Sequence, residues 1–267
     1  MKLSDFSNNI NSQYGEDGIL AEIIRVIGAE LPKNCVEFGA WDGKHLSNTW
    51  ALVSNSNWKV IYIEADKRRF NSLKRSTVDN PNICSINAFV TDDSTPENSL
   101  RILLEGVSAP KNIGILSIDI DGNDYNVWRD FNGFDVSVVV IEYNHTIPSN
   151  VEFIDDGGRS FMGSSALALT KLARLKGYSL VACTLANCIF VRDDLFVKFP
   201  ITDNSVDALM PKEGITYVCR NFAGEIVFSQ KQVVEPIVKL IGYKRLKKWF
   251  KYLVIRRKSF HYLGDKY

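Results

Sequence analysis

Carboxylates stand at the ends of apolar runs in this chain, and their positions point to chemistry before any fold is considered. Val36-Glu37-Phe38-Gly39-Ala40-Trp41-Asp42-Gly43 is an apolar run closing in an acidic, glycine-punctuated turn, and Trp58 to Asp66 is a second run ending on Glu64. A third run ends on Asp119, Asp121 and Asp124, and a fourth on Glu142, Asn144 and His145. In a parallel α/β sheet the ligand crevice lies beyond the carboxyl ends of the strands, where these groups would point. Gly39 and Gly43 would let the backbone turn tightly against a ligand. A phosphate-binding turn keeps acid away, because its ligand is anionic. Glu37 and Asp42 therefore favour a ligand with a cationic centre, and Glu64 suits the two hydroxyls of a ribose. S-Adenosylmethionine (SAM) has an ammonium, a sulfonium and a ribose.

Four segments occur in order: Ser12-Gln13-Tyr14-Gly15-Glu16-Asp17-Gly18, the Glu37-to-Gly43 turn, Ile63-Glu64-Ala65-Asp66, and Ser117-Ile118-Asp119-Ile120-Asp121-Gly122-Asn123-Asp124-Tyr125. On these segments the chain resembles the SAM-dependent methyltransferases of the Rossmann-like class, most closely the FkbM-like branch, over most of residues 11–195. The resemblance implies an α/β fold: a seven-stranded, mostly parallel sheet with helices on both faces and the last strand antiparallel. It also implies SAM contacts from Tyr14, Glu37, Gly39, Gly43, Glu64, Asp92 and Asp119, with the adenine near Thr91-Asp92-Asp93 and residues 13–17 folded over the site. A carbohydrate hydroxyl is the implied acceptor. Read without the family, Glu16 and Asp17 are acids in a helix's first turn, which the helix dipole favours.

Apolar periodicity predicts helices over residues 15–28, 45–54, 68–76, 96–106, 125–131 and 166–176. Strands are predicted over 35–38, 59–63, 83–90, 113–118, 136–141, 178–183 and 186–191. Residues 1–12 are polar and Asn-rich, expected to be poorly ordered unless they fold over the ligand. The long polar stretch 148–165 suits a lid or substrate loop. A small hairpin near residues 215–230 would be appended to a methyltransferase domain of residues 1–232.

If the strands ending at 118 and 141 are neighbours, Asp119, Asp121, Asp124, Glu142, Asn144 and His145 converge on one volume. So many carboxylates cannot all ionise without a cation or a shared proton. In the resemblance SAM is that cation, with Asp119 facing its methionine portion; Mg²⁺ held by Asp121, Asp124 and Glu142 or Asn144 is a second resolution. Capping of the following helix by Asn123 or Asp124 is the third. The metal-bearing sugar O-methyltransferases of a related branch have Asp-Gly-Asp and a later Asp-Asp pair, from which this chain departs. Methyl transfer to a hydroxyl needs a base. His145 titrates closest to neutrality and Asp121 is the alternative, so the catalytic set is His145, Asp121 and Asp119. His45 would cap or pack beside the glycine turn, and His261 lies in the tail.

With 267 residues, 45% hydrophobic and 24% charged, the composition fits one α/β domain. Nothing resembles a signal peptide and no apolar run spans a bilayer, so a cytoplasmic location is expected. Five cysteines, an odd number within apolar runs, read as reduced, buried thiols. The net charge of +1 is uneven. Residues 233–267 hold ten Lys or Arg against Glu235 and Asp265, and Ile237 to Val254 alternate with the cations at helical spacing. A basic amphipathic helix carrying Trp249 and Phe250 suits an anionic membrane surface at the inner face, and thus a lipid-linked or surface glycan as substrate. The plain alternative is a helix packed on its own domain. The acidic body and the lack of an Asn-Pro-Pro-Tyr motif speak against nucleic acid. Methylation of a small natural product remains an alternative, as does a non-catalytic relative, which would have no reason to keep Glu37, Glu64 and Asp119 together.

Overall fold

The computed structural model describes residues 2–55, 57–92, 96–157, 162–213, 215, 217–220, 222–224, 226–228 and 260–262. Two compact units divide the chain, Met1–Lys212 and Glu213–Tyr267. The first runs α1 (Glu16–Ile27), β1 (Asn34–Phe38), α2 (Trp50–Asn55), β2 (Lys59–Glu64), α3 (Lys67–Thr77), β3 (Ile83–Asn87), α4 (Leu100–Gly106) and β4 (Asn112–Ile118). It continues through α5 (Asp124–Asp130), β5 (Asp135–Glu142), α6 (Ala166–Leu175), β6 (Tyr178–Cys183), β7 (Asn187–Arg192), α7 (Asp193–Phe196) and α8 (Val206–Leu209).

The seven strands form one sheet in the order β3-β2-β1-β4-β5-β7-β6. Pairings are parallel except those of β7, which is antiparallel to β5 and β6. This is the Rossmann-like sheet expected. Strand order reverses between β1 and β4, which places the crevice over their carboxyl ends. Val138, Val139, Val140 and Ile141 of β5 are wholly buried, as an uninterrupted β-branched run in a central strand must be. Helix α1 buries Ile19, Leu20, Ile23 and Ile27 as one apolar stripe and stops at Gly28, whose φ of 70° breaks the helix.

Several boundaries differ from expectation for local reasons. β3 ends at Asn87, three residues early, because the Asn87 amide turns back to donate to the carbonyls of Glu64 (2.8 Å) and Ala65 (3.1 Å). The helix expected from residue 45 starts at Trp50, since residues 47–49 are drawn onto the Glu37 carboxylate. A single 3-10 turn, Pro96–Asn98, precedes α4. Residues 2–12 are held rather than loose, with Leu3 buried. The four-residue helices α7 and α8 are too short to show a period. Among the described thiols Cys35, Cys183 and Cys188 are buried but Cys84, on edge strand β3, is exposed.

The second unit contains the expected hairpin in shorter form, β8 (Val218–Arg220) antiparallel to β9 (Ile226–Phe228). β10 (Phe260–Tyr262) pairs parallel to β9, so these three tail residues form a strand. The amphipathic helix read over residues 237–258 lies outside the described residues. Among the described residues no helix is long and apolar enough to cross a membrane.

Candidate active site

Two cavities open at the carboxyl ends of the central strands. The first, about 350 Å³, is lined by Gly39 and Trp41 after β1, Glu64 at the end of β2, Phe89 after β3 and Asp119 after β4. The second, about 380 Å³, is lined by Asn144, His145, Met162 and Gly163. Asp121 and Glu142 line both. Both volumes lie within the ordinary range for small-molecule sites.

The turn after β1 is built on carboxylates. Buried Glu37 accepts the Ser47 hydroxyl (2.8 Å), the Thr49 hydroxyl and the Asn48 N–H (3.1 Å). Burial pushes its pKa up, against the pull of these donors. Glu37 lines the first cavity, and its expected role is corrected only in part: three of its acceptor positions hold the loop, and Oε1 keeps one acceptor direction. A side chain on Gly39 (φ 79°) would collide with the Asp119 carbonyl, so glycine is what lets β1 and β4 end together. Gly43 makes room for Leu73 instead and does not line the cavity, a second correction.

Glu64 Oε2 accepts the Trp41 N–H (2.7 Å) and Oε1 the Asp66 N–H (2.7 Å), leaving each oxygen a second acceptor direction. Trp41 has φ 50° and carries the Arg69 guanidinium 3.9 Å above its ring, with His45 edge-on at 5.0 Å. His45 thus packs at the glycine turn, and its N–H is capped by Asp42 (2.8 Å). Of the five described non-glycine residues with positive φ, Trp41, Leu46 and Asp121 line this one cavity. A left-handed L-residue costs roughly 1–2 kcal/mol, and such strain concentrates at functional sites.

Asp119, Asp121 and Glu142 each offer an oxygen within 4.8 Å of the others. The Asp121 N–H donates to Glu142 (3.2 Å), and the Asp119 and Glu142 carboxyls lie close enough to repel when both are ionised. Burial, then neighbouring carboxylates, raises Asp119 to about 7 and Glu142 to about 9. The pair therefore keeps a proton near neutral pH. Asp124 is different: its carboxylate accepts the N–H groups of Ile120 (2.9 Å) and Gly122 (2.9 Å) and closes the turn. It leaves the proposed metal set, and Asp119 joins Asp121 and Glu142 there. An all-oxygen trio suits a hard cation such as Mg²⁺ as it suits an organic one. Asn144 is also committed, donating to the Met162 carbonyl (2.6 Å) and accepting from Thr146 (3.0 Å).

His145 is half-buried beside the second cavity, and burial holds its pKa below the ordinary imidazole value, so it is neutral at pH 7. Two expected cofactor residues fall outside the first cavity. Tyr14 does not line it, although its neighbour Gln13 does, and Asp92 does not, because the chain reaches the cavity earlier, at Ala88, Phe89 and Val90. Phe89, 65% exposed, together with Trp41 and Arg69, was missed by sequence reasoning; an exposed aromatic just past a strand end was the available signal. Glu16 is buried, accepting from Thr184 (2.6 Å), Asn187 (3.0 Å) and the Tyr14 N–H (2.8 Å).

The raised carboxyls predict a pH-dependent fold. The folded chain binds more protons than the unfolded one between the ordinary carboxyl pKa and the raised values. The contribution of these carboxyls to stability is thus fully present below the ordinary carboxyl pKa and falls as pH rises toward 9. Thermal unfolding of the ligand-free protein between pH 6 and 9 is expected to show a loss of about 1–3 kcal/mol; an unchanged midpoint would contradict the shared proton.

No protein-family model and no curated protein matches the chain. Its fold is similar to several solved structures. One is the N-terminal domain of EvdMO1 with SAH bound, at 10% identity over 66% of this chain and 79% of that one, with a TM-score of 0.41. Another is a putative caffeoyl-CoA O-methyltransferase from Staphylococcus aureus, at 12% identity over 65% and 81%, with a TM-score of 0.44. A third is a SAM-dependent methyltransferase from Aquifex aeolicus, at 9% identity over 66% and 88%, with a TM-score of 0.40. At such distances, function has to be argued from the site.

Proposed function

We propose that this chain is a SAM-dependent methyltransferase, with SAM in the first cavity and a carbohydrate hydroxyl presented from the second. The observation that carries this reading is the wall shared by the two cavities, Asp121 and Glu142, at the reversal point of the sheet. A donor site and an acceptor site that share a wall bring the two reactants together and remove the entropy cost of a chance encounter. SAM, when bound, supplies a methyl group on a cationic sulfur.

The residues present fit that cofactor. Glu64 has free acceptor directions for a ribose diol, Phe89 offers an apolar face for a base, and Asp119 with Glu142 places negative charge where a cation would relieve the shared proton. Neutral His145 takes the proton from the acceptor hydroxyl, as general-base catalysis requires, and Asp121 orients that hydroxyl at the shared wall. The carbohydrate acceptor rests on the FkbM-like resemblance.

Calorimetric titration tests the reading. SAM is expected to bind saturably at one site, whereas NAD, whose pyrophosphate would face the carboxylates, is expected not to bind. Repeating the titration with Mg²⁺ and with a chelator shows whether the acidic trio takes a metal. Absence of SAM binding in every condition would overturn the proposal.

A further inference from the structure

We propose that Gln13 receives the carboxylate of the cofactor's methionine portion, an assignment that rests on the SAM reading above. The first cavity is lined by Glu37, Glu64, Asp119, Asp121 and Glu142. An amino acid zwitterion can set its ammonium against such a wall, but its carboxylate needs a donor that the acids do not supply. Among the described lining side chains the donors are Gln13, Trp41, His45 and Arg69. Arg69 and His45 both pack on Trp41, whose N–H is held by Glu64, at the ribose end. Gln13 is the donor outside that cluster.

The segment carrying Gln13 spans the site from the turn after β1 to β7. Glu16 is tied to Asn187, the residue that pairs in register with Glu142. On the opposite side the Asn11 amide reaches the Lys44 carbonyl (3.5 Å) in the turn after β1. Gln13 lies between these anchors in the chain and lines the same cavity as Asp119 and Glu142.

The backbone around it is held at nearly every polar group. The Asp17 carboxylate accepts three successive N–H groups, from Ile10 (2.8 Å), Asn11 (2.7 Å) and Ser12 (2.7 Å). The Gln13 carbonyl accepts from the Asn9 amide (3.0 Å), and the Tyr14 N–H donates to Glu16 (2.8 Å). Asn9 also accepts the Gly15 N–H and the Ser12 hydroxyl (3.2 Å). Gly18 permits this wrapping, because a side chain there would strike the Phe6 carbonyl. The Gln13 side chain itself is exposed, and among the described residues no hydrogen bond reaches it. The backbone that carries the donor is already ordered, so a ligand has only the Gln13 side chain itself left to order.

The test compares SAM with decarboxylated SAM, which keeps the ring system and positive charges but lacks the carboxylate. Gln13→Ala is expected to weaken SAM binding about tenfold, the worth of one hydrogen bond to a charged group, and Gln13→Glu to weaken it further by repulsion. Neither variant is expected to weaken decarboxylated SAM, and both should melt with the unaltered protein because the side chain is exposed. Equal loss for both ligands would overturn the assignment, showing that Gln13 only supports the segment. Unchanged SAM binding in both variants would overturn it as well. If the unaltered chain binds neither ligand, the cofactor reading falls first and takes this assignment with it.

Discussion

Glu64→Ala is expected to lower SAM affinity at least about a hundredfold, the largest effect of any single substitution in the cofactor site. A carboxylate that accepts both hydroxyls of a ribose makes two hydrogen bonds to a charged group, together worth roughly 3–6 kcal/mol. Glu64 also holds the N–H groups of Trp41 and Asp66, so its removal frees the strained Trp41 as well. Glu64→Gln separates the two contributions: the amide keeps the volume and one acceptor, but it has no oxygen to offer in the second position. Binding of SAM should fall by about tenfold or more in Glu64→Gln while the melting temperature falls less than in the alanine variant. Full SAM affinity in Glu64→Gln, read by calorimetry, would sink the ribose role.

The second large effect concerns the proton. His145→Ala is expected to lower methyl transfer to a sugar acceptor by about 10²- to 10⁴-fold, the usual contribution of a general base, with SAM affinity changed less than about twofold. His145 lines only the second cavity, which is why the two measurements should separate. The pH profile carries the sign. Burial lowers the His145 pKa, so the rate of the unaltered enzyme should rise with pH along a limb centred below the ordinary imidazole value and level off before neutrality. The variant should lack that limb. If the limb survives in His145→Ala, His145 is not the base.

Much of the sheet could be read from the chain because its central strands are buried on both faces, and runs such as Val136 to Ile141 have few other uses. The strand-end carboxylates were legible for the same reason, since each closes such a run. Which of them face a ligand was not. Glu37, Asp124 and Glu16 have the same chemistry and similar positions to Glu64 and Asp119, yet they accept from loop hydroxyls and backbone N–H groups. That choice is made by the local path of the chain, including the left-handed Trp41 and Asp121, which no hydrophobic pattern encodes. The apparent helix from residue 45 failed because Glu37 competes for residues 47–49. Phe89 replaced Asp92 as the lining residue because one amide, Asn87, ends the strand early.

The bonds from Glu16 to Thr184 and Asn187 join positions nearly 170 residues apart, separated by 168 and 171 in the chain. β7, which supplies Asn187, is inserted between β5 and β6. On the ribosome, the segment bearing Gln13 emerges well before the final hairpin of the sheet, and its tie to β7 must wait until that hairpin has been made. Such distant contacts form slowly, since the chain between them must be brought to order first. The strands that bear Glu64, Asp119 and Glu142 can pair beforehand. The site therefore matures from its floor upward, and its roof is completed by almost the last residues of the sheet to be synthesised.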